Sequence, residues 1–152
     1  MFLKITSPDK IVFQGEIESV VVPTEEGEIG VLPGHMPLSS VVTPGIVKVT
    51  ARKADKDLLR ERDFLFKDDN LFVSVSRGLV FVDGDSVVIV TSAATKTPGE
   101  SQEVLEKMKK DLEKNITTLR AKGSIEDLEK AVINLQKVSA DLKLFKYKGI
   151  VK

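Results

Sequence analysis

His35 is the only histidine among 152 residues, and the chain holds no cysteine. It is therefore the one side chain whose ordinary pKa lies near neutrality. A histidine base needs a group to orient it and a nucleophile to activate, and its nearest candidates in the sequence are Glu28 and Ser39. The other reading is a ring packed or hydrogen-bonded inside its own turn. Two carboxylate pairs, Glu25/Glu26 and Asp68/Asp69, sit in turn-like stretches without the apolar surroundings that push two pKa values apart, so they read as solvated. A zinc ion would have to rest mainly on carboxylates, which zinc sites rarely do. The sequence contains neither a Gly-x-x-x-x-Gly-Lys-Ser/Thr phosphate loop nor a Gly-x-Ser-x-Gly elbow. The expectation is a chain with no catalytic residues, no cofactor and no metal of its own.

The histidine belongs to a shaped segment, Gly27-Glu28-Ile29-Gly30-Val31-Leu32-Pro33-Gly34-His35-Met36-Pro37-Leu38. Glycine opens positive φ and proline fixes φ while removing a donor, so this reads as an ordered turn. Ile29, Val31 and Leu32 are apolar for a loop and need a surface, either the core of this chain or another chain.

Short β-branched runs surround that segment. Phe2 to Thr6, Ile11 to Phe13, Ile17 to Val22, Leu38 to Val42, Ile46 to Thr50, Phe64 to Phe66, Leu71 to Val75, Gly78 to Val82 and Ser86 to Val90 are separated by Pro, Gly and Asp turns. Asp83-Gly84-Asp85 between two such runs is a strong hairpin signal. Eight to ten close-spaced strands without intervening helices predict a β-sandwich or flattened barrel. Residues 51–63 carry dense charge of both signs and read as a solvated hairpin loop or a short helical insertion.

From Thr91 the pattern changes. Residues 92–100 read as a linker, with Thr97-Pro98-Gly99-Glu100 or Ser101 offering a helix start. Val104, Leu105, Met108, Leu112, Ile116 and Leu119 recur at helical spacing, Lys122-Gly123 stops the run, and Ser124 restarts it. Ile125, Leu128, Ala131, Val132, Leu135, Val138 and Leu142 form a second stripe. So short a break predicts an antiparallel helical hairpin. Burying the two stripes on each other does little more than offset the entropy of ordering them, so the hairpin should lean on the sandwich or on a partner, and be movable. The basic tail Leu144 to Lys152 reads either as a partner-binding or membrane-surface segment or as a frayed end whose Phe145 and Tyr147 finish the second stripe. The expected domains are a sandwich at 1–91, a linker at 92–100 and a hairpin at 101–152.

Bulk properties bound the function. Apolar content of 41% and charged content of 30% are ordinary for a globular chain, and no run is long and apolar enough to cross a membrane. Met1 to Thr6 lacks the pattern of a signal peptide, and the missing cysteines fit a cytoplasmic address. The net charge is zero, which argues against a general nucleic-acid binder. Residues 1–100 hold 11 Lys/Arg against 15 Asp/Glu, and residues 101–152 hold 12 against 8. The basic tail faces either an acidic partner or the acidic first part of its own chain.

The run from Gly27 to Leu38, continued by Thr43-Pro44-Gly45 and by Gly78-Leu79-Val80 and Asp83 to Val90, resembles the epsilon subunit of bacterial and chloroplast F-type ATP synthases. The resemblance covers nearly the whole chain. It implies a ten-stranded β-sandwich followed by an antiparallel helix pair, working in the rotating central stalk of a proton- or sodium-translocating enzyme. The partners it implies are the gamma subunit, the ring of c subunits and, through the hairpin, the alpha/beta head, where the hairpin holds back ATP hydrolysis. The address it implies is peripheral, on the cytoplasmic face of the bacterial inner membrane. Glu28, Ile29, Gly30, Val31, Leu32, Pro33, Gly34 and His35 are then expected as subunit contacts, and Lys107, Lys109, Lys110, Lys114 and Arg120 as a basic face toward the head. Some members bind ATP through an acidic-x-x-Arg-Ala motif at the start of the first helix. The corresponding stretch, Ser101 to Leu105, has no arginine, and no ATP binding is expected. The rival reading is a free-standing β-sandwich adaptor with a helical partner-binding tail.

Overall fold

Strand β2 (Ile11–Thr24) is 14 residues long and serves two layers at once. Its first half pairs with β1 (Phe2–Thr6), and its second half pairs with β3 (Gly27–Val31) and β5 (Gly45–Ala51), with the register shifting between Ile17 and Ser19. Such a shift bends a strand and increases its twist. From β1 the ladder runs through β9 (Ser86–Thr91) and β8 (Gly78–Gly84) to β4 (His35–Val42), which touches β2 again at Thr24. From β5 it runs through β7 (Asn70–Val75) to β10 (Ala94–Thr95), with β6 (Leu65–Lys67) folded back on β7. Because β1 pairs with both β2 and β9, the ten-stranded sheet returns on itself and encloses a core. This is the predicted sandwich. The computed structural model describes residues 1–152 except 56, 57, 60, 61, 63, 97–101, 124 and 149–152.

Alternation builds that core. Leu3 and Ile5, Val20 and Val22, Val47 and Val49, Val80 and Val82, and Val87 and Ile89 point inward and are buried. In β7 the pattern fails in an informative way, since Leu71 to Val75 are all buried. Leu71, Val73 and Val75 face the core, while Phe72 and Ser74 lie on the outer face beneath a helix. A strand covered on both sides loses its polar alternation.

The charged insertion at 51–63 contributes a short 3-10 turn at Lys53–Asp55. It is not wholly solvated: Ala51 and Leu59 join the core, as does Phe64 just beyond it, which meets Phe13 edge to face at 5.7 Å. Within the stretch read as a linker, Ala94–Thr95 pair with β7, and the Ser76 N–H donates to the Ala93 carbonyl at 2.9 Å. The chain therefore stays on the sandwich four residues beyond 91.

Helices α1 (Gln102–Lys122) and α2 (Ile125–Lys148) form the hairpin. Gly123 ends α1 with φ 75°, its N–H donating to the Leu119 carbonyl at 2.9 Å. The helix starts expected at Thr97 to Ser101 and at Ser124 lie outside the described residues. Of the first stripe, Leu105 and Ile116 are buried, whereas Val104 and Met108 stay exposed. Of the second, Ala131 and Val138 are buried and Ile125 is exposed. Helix α2 also carries a second buried pair, Ala140 and Leu144, and Leu144 packs on Leu65, Phe72 and Ile46 of the sheet. The hairpin thus leans on the sandwich through α2.

Candidate functional site

The Gly27–Leu38 run is two strands joined by one turn. Thr24 ties the β2–β3 hairpin, its hydroxyl donating to the Gly27 carbonyl at 2.6 Å and accepting from the Glu26 N–H at 3.2 Å. Val31 is fully buried and Ile29 half-buried against the core, while Glu28 and Gly30 are exposed. Leu32, Pro33, Gly34 and His35 form a type II turn. Pro33 takes the position that wants φ near −65°, Gly34 has φ 81°, and the His35 N–H donates to the Leu32 carbonyl at 3.1 Å. The turn is pinned to the neighbouring hairpin where the Gly34 N–H donates to the Gly84 carbonyl at 3.3 Å.

A register shift between His35 and Leu38 in the β4–β8 ladder pushes the intervening residues outward. Leu32 is left 64% exposed and Met36 78% exposed at this end of the sandwich, beside the exposed Asp83 and Asp85. His35 turns its ring back on its own segment, Nδ1–H donating to the Met36 carbonyl at 2.8 Å.

The suspected catalytic grouping is not assembled. Thr24 pairs with both Gly27 and Val42, so Glu28 lies at the Val42 end of β4 while His35 begins that strand at the other. An eight-residue strand spans roughly 25 Å. Ser39 is exposed further along β4 and pairs with Phe81. Glu25 and Glu26 occupy the exposed β2–β3 turn, and Asp68 and Asp69 the β6–β7 turn. Among the described residues no cluster of three or more His, Asp or Glu side chains is placed to hold a metal ion.

What the sandwich does present is two unlike outer faces. On one, α2 covers β5, β6 and β7. On the other, Leu79 and Phe81 of β8 and Val90 of β9 are each more than 40% exposed. Register aligns Leu79 with Val90 and with Val41, and Phe81 with Val88, so these side chains form one apolar patch across three strands. Strand periodicity alone hid this patch, because on an isolated strand an outward Leu or Phe cannot be told from an inward one.

The five basic residues of α1 do not share one face. At about 100° per residue, Lys107, Lys110 and Lys114 fall within about 60° of one another, opposite the buried Leu105 and Ile116. Lys109 and Arg120 lie about 120° away from that stripe. Lys109 is half-buried in the crevice with Ser139, Leu142 and Phe145 of α2. Where α2 meets the sheet, Lys137 Nζ donates to Thr95 Oγ1 at 2.9 Å and to Asp141 Oδ1 at 2.6 Å. The Ser74 hydroxyl also donates to Asp141 Oδ1. Nothing in the sequence marked this group, which needs α2 and two strands brought together.

Comparison with known proteins settles the family. Residues 1–60 match the model of the ATP synthase delta/epsilon chain β-sandwich domain. An ATP synthase epsilon chain of Neisseria meningitidis serogroup C / serotype 2a is 30% identical over 132 residues, covering 87% of this chain and 85% of that one. The chain belongs to the ATP synthase epsilon-chain family. The epsilon chain of Dichelobacter nodosus is 28% identical over 141 residues, 91% of this chain and 89% of its own. In fold, the chain resembles one from the solved Euglena gracilis mitochondrial ATP synthase assembly of OSCP, F1 and c-ring, with a TM-score of 0.69 at 21% identity. That match covers 94% of this chain and 79% of the other. Membership removes the free-standing adaptor as a rival.

Proposed function

We propose that this member of the epsilon-chain family is a non-catalytic rotor component of the central stalk, coupling gamma and the c ring to the alpha/beta head of an F-type, proton- or sodium-translocating ATP synthase. The observation that carries this reading is the unequal treatment of the two sandwich faces. One is covered by the chain's own helix, and the other leaves Leu79, Phe81, Val88 and Val90 as a rigid apolar surface. Such a patch on a packed sheet suits a permanent partner that must transmit torque, and we assign it to gamma.

The turn end, with Leu32, Pro33, Gly34, His35 and Met36, is assigned to the c ring. Glu28 and Gly30 lie outside that footprint, and Ile29 and Val31 serve it by anchoring the turn to the core. No helix among the described residues is long and apolar enough to cross a membrane, which fits a peripheral position on the cytoplasmic face of the bacterial inner membrane. The hairpin is assigned the regulatory part: it rises from the sandwich toward the head and restrains ATP hydrolysis, with the stripe Lys107, Lys110 and Lys114 meeting an acidic surface.

The test of the coupling role is capture of the full chain by isolated gamma. Leu79→Asp/Phe81→Asp should weaken capture by at least about 100-fold while leaving the fold intact, because both side chains point away from the core. Wild-type and variant binding equally would remove the assignment. The regulatory role is tested by ending the chain after Lys96, which keeps β10 and the whole sandwich core. ATP hydrolysis by the reconstituted enzyme should rise; unchanged hydrolysis with coupling retained would contradict the brake.

A further inference from the structure

The contact between α2 and the sheet has two unlike parts. One is apolar: Leu144 buried among Leu65, Phe72 and Ile46. The other is a four-residue polar group, Lys137 and Asp141 on α2, Ser74 on β7 and Thr95 on β10. Lys137 and Asp141 are only 14% and 17% exposed, and Ser74 is fully buried. Positions 137, 141 and 144 are spaced i, i+4, i+7, so one stripe of α2 carries both the latch and the apolar plug.

We propose that this polar group is a latch that fixes the register in which the hairpin docks while subtracting from the strength of docking, so that a partner can release it. The inference deepens the regulatory reading above and rests on it for its biological meaning.

Lys137 and Asp141 stay neighbours on α2 whether or not the helix is docked, so docking creates no new ion pair. It moves an existing pair out of water and supplies two hydroxyl hydrogen bonds, one from Ser74 and one to Thr95. Removing a charged pair from solvent generally costs about as much as, or more than, those bonds return. The apolar plug therefore drives docking and the charged pair opposes it. Geometry is the latch's contribution. The carboxylate meets Ser74 Oγ and the ammonium meets Thr95 Oγ1 in a single register. A slide of α2 by one turn, about 5.4 Å, would strand both charges against Phe72 and its neighbours. An all-apolar seam would dock in several registers and release slowly. The latch gives one register and ready release.

The prediction has opposite signs for one and two substitutions, which mere structural damage would not produce. Lys137→Met leaves Asp141 without its cation and should raise the opening of α2 by about 10-fold or more. Ser74→Ala acts from the sheet without altering the helix and should raise opening by a few-fold. Lys137→Met/Asp141→Leu replaces the pair by apolar groups of similar volume and should close α2 to wild-type level or tighter.

The readout is hydrogen exchange of α2 amides in the purified full chain, with the β7 and β9 amides reporting whether the sandwich is intact. Protection of α2 unchanged within about two-fold in Lys137→Met and in Ser74→Ala would overturn the latch. A double variant that opens as far as Lys137→Met would overturn the claim that the pair opposes docking. ATP hydrolysis by the enzyme reconstituted with each variant separates the two readings. Altered α2 exchange with unaltered inhibition keeps the latch and removes the brake.

Discussion

Leu144→Ala is the sharpest test of how the hairpin is held. Leu144 is fully buried, yet it belongs to a small cluster with Leu65 and Phe72 that is separate from the sandwich core. Truncating a fully buried leucine costs about 2–5 kcal/mol, depending on how far the site collapses. Here the cavity lies between one helix and a sheet, and the helix can settle, so the lower part of that range, about 2–3 kcal/mol, applies. Alanine is at least as good a helix former as leucine, so α2 itself is not weakened. The whole penalty falls on docking, and the docked-to-open ratio should drop by about 30- to 150-fold. Native-state hydrogen exchange measures this directly: α2 amides should lose protection by that factor while β2 and β9 amides keep theirs. Equal loss in α2 and in the sandwich would show one cooperative unit and refute the separation of plug and core. No change in either would refute the packing role of Leu144.

Three further perturbations follow. A Cβ at Gly78 would sit 2.0 Å from the Val90 carbonyl oxygen and within 3 Å of other β9 backbone; Gly78→Ala should cost more than about 3 kcal/mol in urea unfolding. Gly34→Ala meets no neighbour but forces φ 81° on alanine; it should cost about 1–2 kcal/mol, with melting still cooperative. Charge reversal of the outward stripe by Lys107→Glu/Lys110→Glu/Lys114→Glu should leave melting almost unchanged and relieve inhibition of ATP hydrolysis, most clearly at low salt. The same reversal at Arg120 alone should do much less.

Much of the fold could be read in the chain because its signals are local. Alternation in β8 and β9, the Asp83-Gly84-Asp85 hairpin and the glycine stop at 123 each depend on a few adjacent residues. The split of Ile29, Val31 and Leu32 between core and surface was legible as a need, since three apolar residues in a turn require something to pack on. What stayed hidden depends on distant partners. Leu59 is a core anchor inside a charged insertion, and charge density masked it. Ala94–Thr95 read as linker because a two-residue strand has no period. Ser74, Thr95, Lys137 and Asp141 look like four unrelated polar residues until the hairpin folds onto β7 and β10. The five basic positions of α1 looked like one face because they are close in sequence, yet helical geometry places Lys109 and Arg120 away from the outward stripe.

The proposed permanent seat of this chain on the rotor is the face formed by the exposed Leu79, Phe81 and Val90 with the half-buried Val88. The direct measurement is copurification of the tagged full chain with a membrane-bound ATPase. Gamma and c subunits should be recovered with the wild-type chain and lost with Leu79→Asp/Phe81→Asp, both chains being equally folded by circular dichroism. Recovery of gamma and c subunits with the variant at wild-type yield would contradict that assignment.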